Sequence, residues 1–420
     1  MIELDVPPIT ETAVLARLVL PDEDPAEVEE SISEAKRLAW TAGAAVAATL
    51  VQRRSAPCPA TLLGKGKADQ LKALCEEVEA DIVLFDSELS PAQGSNLEKA
   101  LGCKVVDRTQ LILDIFAQRA RTNEGKHQVE LAQLQYLLPR LSGRGSIMRQ
   151  QGGIGVRGPG EQKLEVDRRV IRRRIQMLEE ELDAIRRTRR VQRKRRAETG
   201  VPAVALVGYT NAGKSSLLNA LTGAGAFVED KLFATLDPTT RRKRLPSGRE
   251  VIISDTVGFV RHLPHALVAA FRATLEEVND ADLLLLVVDS ADPAMEEHIL
   301  AVKSVLEEIE AGDKPVLMVF NKIDTMEPGA VAALLAGRDQ TVAISAQRGD
   351  HLDQLLQTVD TLLAEARHRL RLRLPQSEAA LAARIRRHGR ILHESYEGND
   401  ILLEAEVDPS LAGAVAPYAM

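Results

Sequence analysis

Apolar residues along this chain alternate between a period of two and a period near 3.6, and the changes of period mark its elements. Arg17-Leu18-Val19-Leu20 is a strand pattern, and Asp22-Glu23-Asp24-Pro25 is a helix entry into Ala26 to Thr41. Ala44 to Val51 is a second strand. Gly64-Lys65-Gly66-Lys67 is a turn into a helix at 68–79, with a second phosphate site as its less favoured reading. Asp81-Ile82-Val83-Leu84-Phe85 is a buried strand, Ser90 to Leu101 a helix with Pro91 in its first turn, and Lys104-Val105-Val106-Asp107 a further strand. Strands alternating with helices predict a parallel sheet over residues 1–107.

The texture then changes. From 108 to 141 the stripe Leu111, Ile115, Val129, Leu131, Leu134, Leu138 and Leu141 predicts one continuous helix. Ser142 to Gly160 holds seven glycines with Arg144, Arg149 and Arg157, a long loop without core material. At 161–196 a second helix carries Ile171, Ile175, Leu178, Leu182 and Ile185 at steps of four and three, a seam suited to one partner helix. The two helices predict an antiparallel hairpin over 108–200 with the glycine loop at its tip.

A new α/β pattern runs from 201 to 366, and each of its strands ends on a polar motif. Ala203-Val204-Ala205-Leu206-Val207 leads into Gly208-Tyr209-Thr210-Asn211-Ala212-Gly213-Lys214-Ser215, and a helix follows. This is G-x-x-x-x-G-K-[ST] between strand and helix, where backbone N–H groups and the helix N-terminus cradle phosphates. Lys214 would reach the β- and γ-phosphates, and Ser215 would ligate Mg²⁺. Asp255-Thr256-Val257-Gly258 follows a second strand; Asp255 would hold Mg²⁺ through water, and the Gly258 N–H would face the γ-phosphate. Asn321-Lys322-Ile323-Asp324 follows a third. A carboxylate at Asp324 accepts from guanine N1–H and N2–H₂, donors that adenine lacks there. Ser345-Ala346-Gln347 follows a fourth, and the Ala346 N–H can serve guanine O6. Beyond 367, strands at 370–374, 390–396 and 400–406 and a helix at 377–387 predict a small α+β domain.

Each motif alone is weak, but their order, each after a strand, resembles a translation-factor-class P-loop GTPase. Within that class, Phe233-Ala234-Thr235-Leu236-Asp237 occupies the switch I position, and Thr235 would ligate Mg²⁺ and sense the γ-phosphate. Thr239 and Thr240 compete for that role. Phe259 stands where small signalling GTPases carry a water-orienting Gln, so intrinsic hydrolysis should be slow until a partner completes the site. His262 and His265 follow, more simply solvated bystanders than assistants. Asn211 is similar to the residue of GTPases that use K⁺ as an extra charge neutraliser.

Composition adds two points. The formal net charge is −7, yet residues 168–196 hold thirteen Arg and Lys against four Asp and Glu, so the remainder carries −16. One basic segment on an acidic chain points to contact with a polyanion, with Arg172, Arg173 and Arg174 beside the loop arginines as the RNA-facing set. Three cysteines without a C-x-x-C, and no apolar run long enough to span a bilayer, predict a cytoplasmic protein without a disulfide framework, zinc site or membrane insertion.

Leu232 to Arg241 together with Asp255-Thr256-Val257-Gly258-Phe259 resembles the HflX family, and the likeness extends upstream through Leu63-Gly64-Lys65-Gly66-Lys67, the glycine loop and the arginine helix. The resemblance implies a monomeric cytoplasmic GTPase that binds the large ribosomal subunit and its ribosomal RNA and splits or rescues stalled ribosomes. It also implies adenine-nucleotide binding by the N-terminal domain, which no motif locates. Two alternatives stay open: an assembly GTPase on immature large subunits, and an ATP-dependent RNA remodeller.

Overall fold

The structure is a computed structural model that describes residues 11–141, 159–199, 201–223, 232–233, 235–261, 267, 275–327, 329–365, 368–407, 411 and 414–420. It forms two compact units. The first holds the chain to Asp183 with the short pieces containing Phe233 and Arg261; the second holds the remainder.

In the first unit, β1 (Glu11–Val19), β2 (Ala44–Arg53), β3 (Ile82–Phe85) and β4 (Lys104–Asp107) form a wholly parallel sheet in the order β2-β1-β3-β4. Alternation sets its faces. Val14, Ala16, Leu18, Val83, Phe85 and Val105 pack with Leu71 of α2 (Lys65–Glu77) and Leu97 of α3 (Pro91–Leu101). Ser90 caps α3 in a reciprocal capping box with Gln93. α1 (Pro25–Ala42) packs against α4 (Arg108–Arg119).

The continuous helix expected over 108–141 is broken. α4 ends at Arg119, Ala120 is extended, and α5 (Asn123–Arg140) starts anew with the Thr122 hydroxyl accepting from the Gly125 N–H at 3.0 Å. A threonine N-cap makes a new start here favourable, while the apolar spacing on either side conceals the break. α6 (Pro159–Thr199) is the long basic helix. It runs antiparallel to α5: His127 lies 3.4 Å from Glu181, and Glu130 takes two 2.7 Å bonds from Arg174. Of the seam, Leu178 and Leu182 are buried, and Ile171, Ile175 and Ile185 are half-buried. Of the glycine loop, residues 142–158 lie outside the described residues, and Pro159 and Gly160 already belong to α6.

The second unit contains a six-stranded sheet in the order β10-β9-β8-β5-β7-β6. Its strands are β5 (Ala203–Gly208), β6 (Thr239–Arg244), β7 (Glu250–Asp255), β8 (Leu283–Asp289), β9 (Val316–Asn321) and β10 (Thr341–Ala343). Only β6 runs antiparallel to its neighbour. The central strands are apolar throughout, as sheets covered on both faces require. α7 (Lys214–Thr222), α8 (Met295–Glu308), α9 (Ala330–Leu335) and α10 (Leu352–Glu365) follow the strands. The functional motifs therefore lie at the carboxyl ends of parallel strands, where open α/β sheets bind ligands.

The C-terminal strands β11 (His368–Pro375), β12 (Arg390–Glu397) and β13 (Asp400–Val407) pair antiparallel in the order β11-β13-β12, with α11 (Ala379–His388) placing Leu381, Ala382 and Ile385 in a separate core. Among the described residues no helix is long and apolar enough to cross a membrane.

Candidate nucleotide site

The loop between β5 and α7 is built around Lys214. Its ammonium donates to the carbonyls of Gly208 (3.0 Å) and Tyr209 (2.8 Å). Two of its three protons are thus engaged in aiming the group, which leaves the third for an incoming anion. Lys214 is buried, and burial pushes its pKa down to about 8, with Asp255 opposing the fall. A phosphate at this loop would supply the missing negative charge.

Three side chains converge beside it. The Ser215 hydroxyl donates to Asp255 Oδ2 at 2.6 Å and lies 2.8 Å from the Thr235 hydroxyl. Thr239 and Thr240, the competing candidates, lie instead on β6, where the Thr240 hydroxyl meets Ser254 at 3.1 Å. Burial raises the Asp255 carboxyl, against the pull of Lys214 and of hydrogen bonds from Ser215 and Thr235. Asp255 Oδ1 is buried with no protein hydrogen-bond partner. Two hydroxyls and a carboxylate with an unmet acceptor fit a hard divalent cation, with the hydroxyls as ligands and the carboxylate reached through water.

Close approach fixes two glycines. A Cβ at Gly258 would stand 2.8 Å from Thr210 Cγ2 and 2.9 Å from Thr210 Cα, so the phosphate loop itself would have to shift, and Lys214 Nζ, 3.1 Å away, would have to give way slightly. A Cβ at Gly213, whose φ is 92°, would stand 2.2 Å from Asn321 Nδ2. The loop and the second motif are joined directly. Thr210 N–H donates to the Phe259 carbonyl at 2.8 Å, and Phe259 N–H donates to the Gly208 carbonyl at 3.1 Å. The Phe259 ring is fully buried. Phe259→Gln would therefore bury an amide as well as lose packing. We expect turnover no higher than wild type and a stability loss of about 1–3 kcal/mol, checked by single-turnover hydrolysis and urea unfolding.

At the opposite end, Asn321 ties three motifs together. Its Nδ2 donates to the Ala212 carbonyl (2.9 Å), and its Oδ1 accepts from the Ala346 N–H (3.0 Å). The Ala346 amide, expected to serve a base carbonyl, thus already has a protein acceptor and would have to be shared or released. Lys322 is held by Asp289 at 2.7 Å, and the half-buried Asp324 sits in a 3-10 turn beside it. Ser345 is buried, its hydroxyl accepting from the Arg348 N–H at 3.1 Å, and Gln347 is exposed. Ile323 N–H donates to the Ile344 carbonyl, while Thr256 and Val257 are buried behind Asp255.

Other expected residues divide. Leu236 is buried and Asp237 half-buried near Thr235, while Ala234 lies outside the described residues, as do His262 and His265. Phe233 groups with the first unit, and its ring meets Phe116 of α4 edge-on at 4.6 Å. Its φ of 56° is an unfavourable conformation for an aromatic residue. The ring is therefore committed to a protein contact. Of the arginines, Arg172 and Arg173 are exposed, whereas Arg174 is bound bidentately by Glu130, which makes it a brace of the hairpin. Arg144, Arg149 and Arg157 lie outside the described residues. Two contributors had no local signal in the sequence: Asp289, which orients Lys322 from the neighbouring strand, and His298, which stacks on Tyr209.

Residues 203–322 match a family model described as 50S ribosome-binding GTPase; residues 29–117 and 119–196 match models described as GTP-binding GTPase N-terminal and GTP-binding GTPase Middle Region. Fold, site and match define a P-loop GTPase, an enzyme that hydrolyses GTP. The GTPase HflX of Caldanaerobacter subterraneus subsp. tengcongensis is 49% identical over 398 residues, 94% of this chain and 91% of its own. That of Lacrimispora saccharolytica is 46% identical over 417 residues (99% and 98%), and that of Escherichia coli K12 is 48% identical over 358 residues, 84% of each chain. The chain belongs to the HflX GTPase family. A GTP-binding protein of Sulfolobus solfataricus solved with GDP is 27% identical, spans 84% of this chain and 98% of its own, and aligns at a TM-score of 0.43.

Proposed function

We propose that this protein is a monomeric cytoplasmic GTPase of the large ribosomal subunit that couples its nucleotide cycle to ribosome association and splits or rescues stalled ribosomes. The observation that carries this reading is the match of 203–322, the segment holding Lys214, Ser215, Thr235, Asp255 and Asn321, to a model described as 50S ribosome-binding GTPase. The basic helix α6 supports it, because exposed Arg172 and Arg173 suit phosphate contact.

In this reading Lys214 grips the β- and γ-phosphates, the Gly258 N–H faces the γ-phosphate, and Asp324 selects guanine. Mg²⁺ on Ser215 and Thr235, with Asp255 reached through water, would neutralise charge on the phosphates. Asn211 would add a K⁺ ligand. Thr235 links nucleotide state to the switch I segment, and contact with the ribosome stimulates a site that lacks a water-orienting glutamine. The RNA-remodeller alternative is disfavoured by Asp324, which adenine cannot satisfy. The assembly alternative predicts binding without splitting.

Incubating intact ribosomes with the protein and GTP tests the reading: free subunits should appear in a sedimentation profile. Ribosomes left intact while immature large subunits are bound would favour assembly instead. Replacing Arg172 and Arg173 by Gln should weaken RNA binding and lower its salt slope by about one per lost phosphate contact, measured as affinity against salt concentration. An unchanged slope would make these arginines a solvated helix face.

A further inference from the structure

The side chain of His298, buried behind the phosphate loop, is not among the groups that would touch the nucleotide. His298, on the first turn of α8, is 5% exposed. Its ring lies face to face with that of Tyr209, with centroids 3.7 Å apart and planes 13° apart. Its Nδ1 is 3.3 Å from Asp292 Oδ2. Asp292 is fixed in turn, since its Oδ1 accepts from the Ala294 N–H at 2.9 Å and its carbonyl from the Met295 N–H at 3.1 Å. The other imidazole nitrogen, Nε2, is buried with no protein hydrogen-bond partner. The ring is therefore located by Asp292 on one edge and by Tyr209 on its face.

Tyr209 is the residue on which the loop's two critical links depend. Its carbonyl aims Lys214. The peptides on either side hold Phe259, through Gly208 O and Thr210 N–H, and so place the neighbouring Gly258. The stacked ring pins the Tyr209 Cα, and a backbone shift at Tyr209 once the stack is lost would carry all three groups with it; displacements of about 1 Å are costly where charged groups must meet.

We infer that His298, clamped by Asp292, is a positioning residue for the phosphate loop, acting through its stack on Tyr209 to hold Lys214 and Gly258 in place for the γ-phosphate. The inference rests on residues 208–215 being the phosphate loop. Packing alone would explain the burial of His298, but it would give no preference between nucleotides. Lys214 bridges β- and γ-phosphates, so disorder in its aim weakens a triphosphate more than a diphosphate.

The test is the ratio of affinities for a non-hydrolysable GTP analogue and for GDP, measured by calorimetry with Mg²⁺ on the full chain. His298→Ala should lower that ratio by about 3- to 10-fold, the worth of one well-placed hydrogen bond. His298→Phe, which keeps a ring on Tyr209, should recover most of it. An unchanged ratio in His298→Ala, whatever its melting temperature, would reduce the residue to packing and overturn the inference. A ratio as low in His298→Phe as in His298→Ala would overturn it too, because the stack would then not be the cause. Should His298→Ala fail to fold, His298→Asn, which keeps a polar group opposite Asp292 without the ring, is judged by the same criterion. If wild type binds neither nucleotide, the phosphate-loop reading itself fails, and that result is distinct from the others.

Discussion

Lys214→Ala should lower affinity for GTP by about 100- to 1000-fold, equivalent to roughly 3–4 kcal/mol, and leave GDP less affected. The lysine is buried, and two carbonyls already aim its ammonium, so alanine there removes a fixed and oriented positive charge from the loop. Removing it would leave Asp255 as an uncompensated acid beside incoming phosphates. Fluorescence titration with a labelled GTP analogue in Mg²⁺ reads the effect. Affinity within threefold of wild type would mean that the triphosphate lies elsewhere.

Asp324→Asn is the second large effect. A carboxylate accepts both the N1–H and the N2–H₂ of guanine, and an asparagine can accept only one while setting its own N–H₂ against the exocyclic amine. GTP affinity should fall by about 10- to 100-fold, since unmet buried donors are penalised heavily. Xanthine nucleotides, with a C2 carbonyl where guanine has its amine, should gain, because the asparagine amide can donate to that oxygen. Competition titration with GTP, XTP and ATP checks both halves. An unaltered preference for GTP would remove Asp324 from base recognition.

Much of the architecture was legible because it is written locally. Ala203 to Val207, Val316 to Phe320 and the other buried strands are continuous apolar runs, and the polar motifs directly follow them. Strand end and chemistry therefore lie within a few residues of each other. The failures share the opposite property. The break between α4 and α5 depends on a single threonine cap inside an unbroken apolar stripe. Arg174 looked like one of three equivalent arginines, and only Glu130, forty-four positions away, removes it from that set. Asp289 meets Lys322 because β8 and β9 are neighbours, and His298 meets Tyr209 because α8 packs beside β5. Phe233 fitted the switch pattern, but its ring is taken by Phe116, more than a hundred residues upstream. Such tertiary pairings leave no trace in residue spacing.

In the proposed cycle, occupancy of the site by GTP governs binding to the ribosome. This dependence is tested most directly by co-sedimentation of the wild-type protein with purified large subunits in a non-hydrolysable GTP analogue, in GDP and without nucleotide. Recovery with the subunit is expected in the analogue, with little in GDP or without nucleotide. Equal recovery in all three would contradict it.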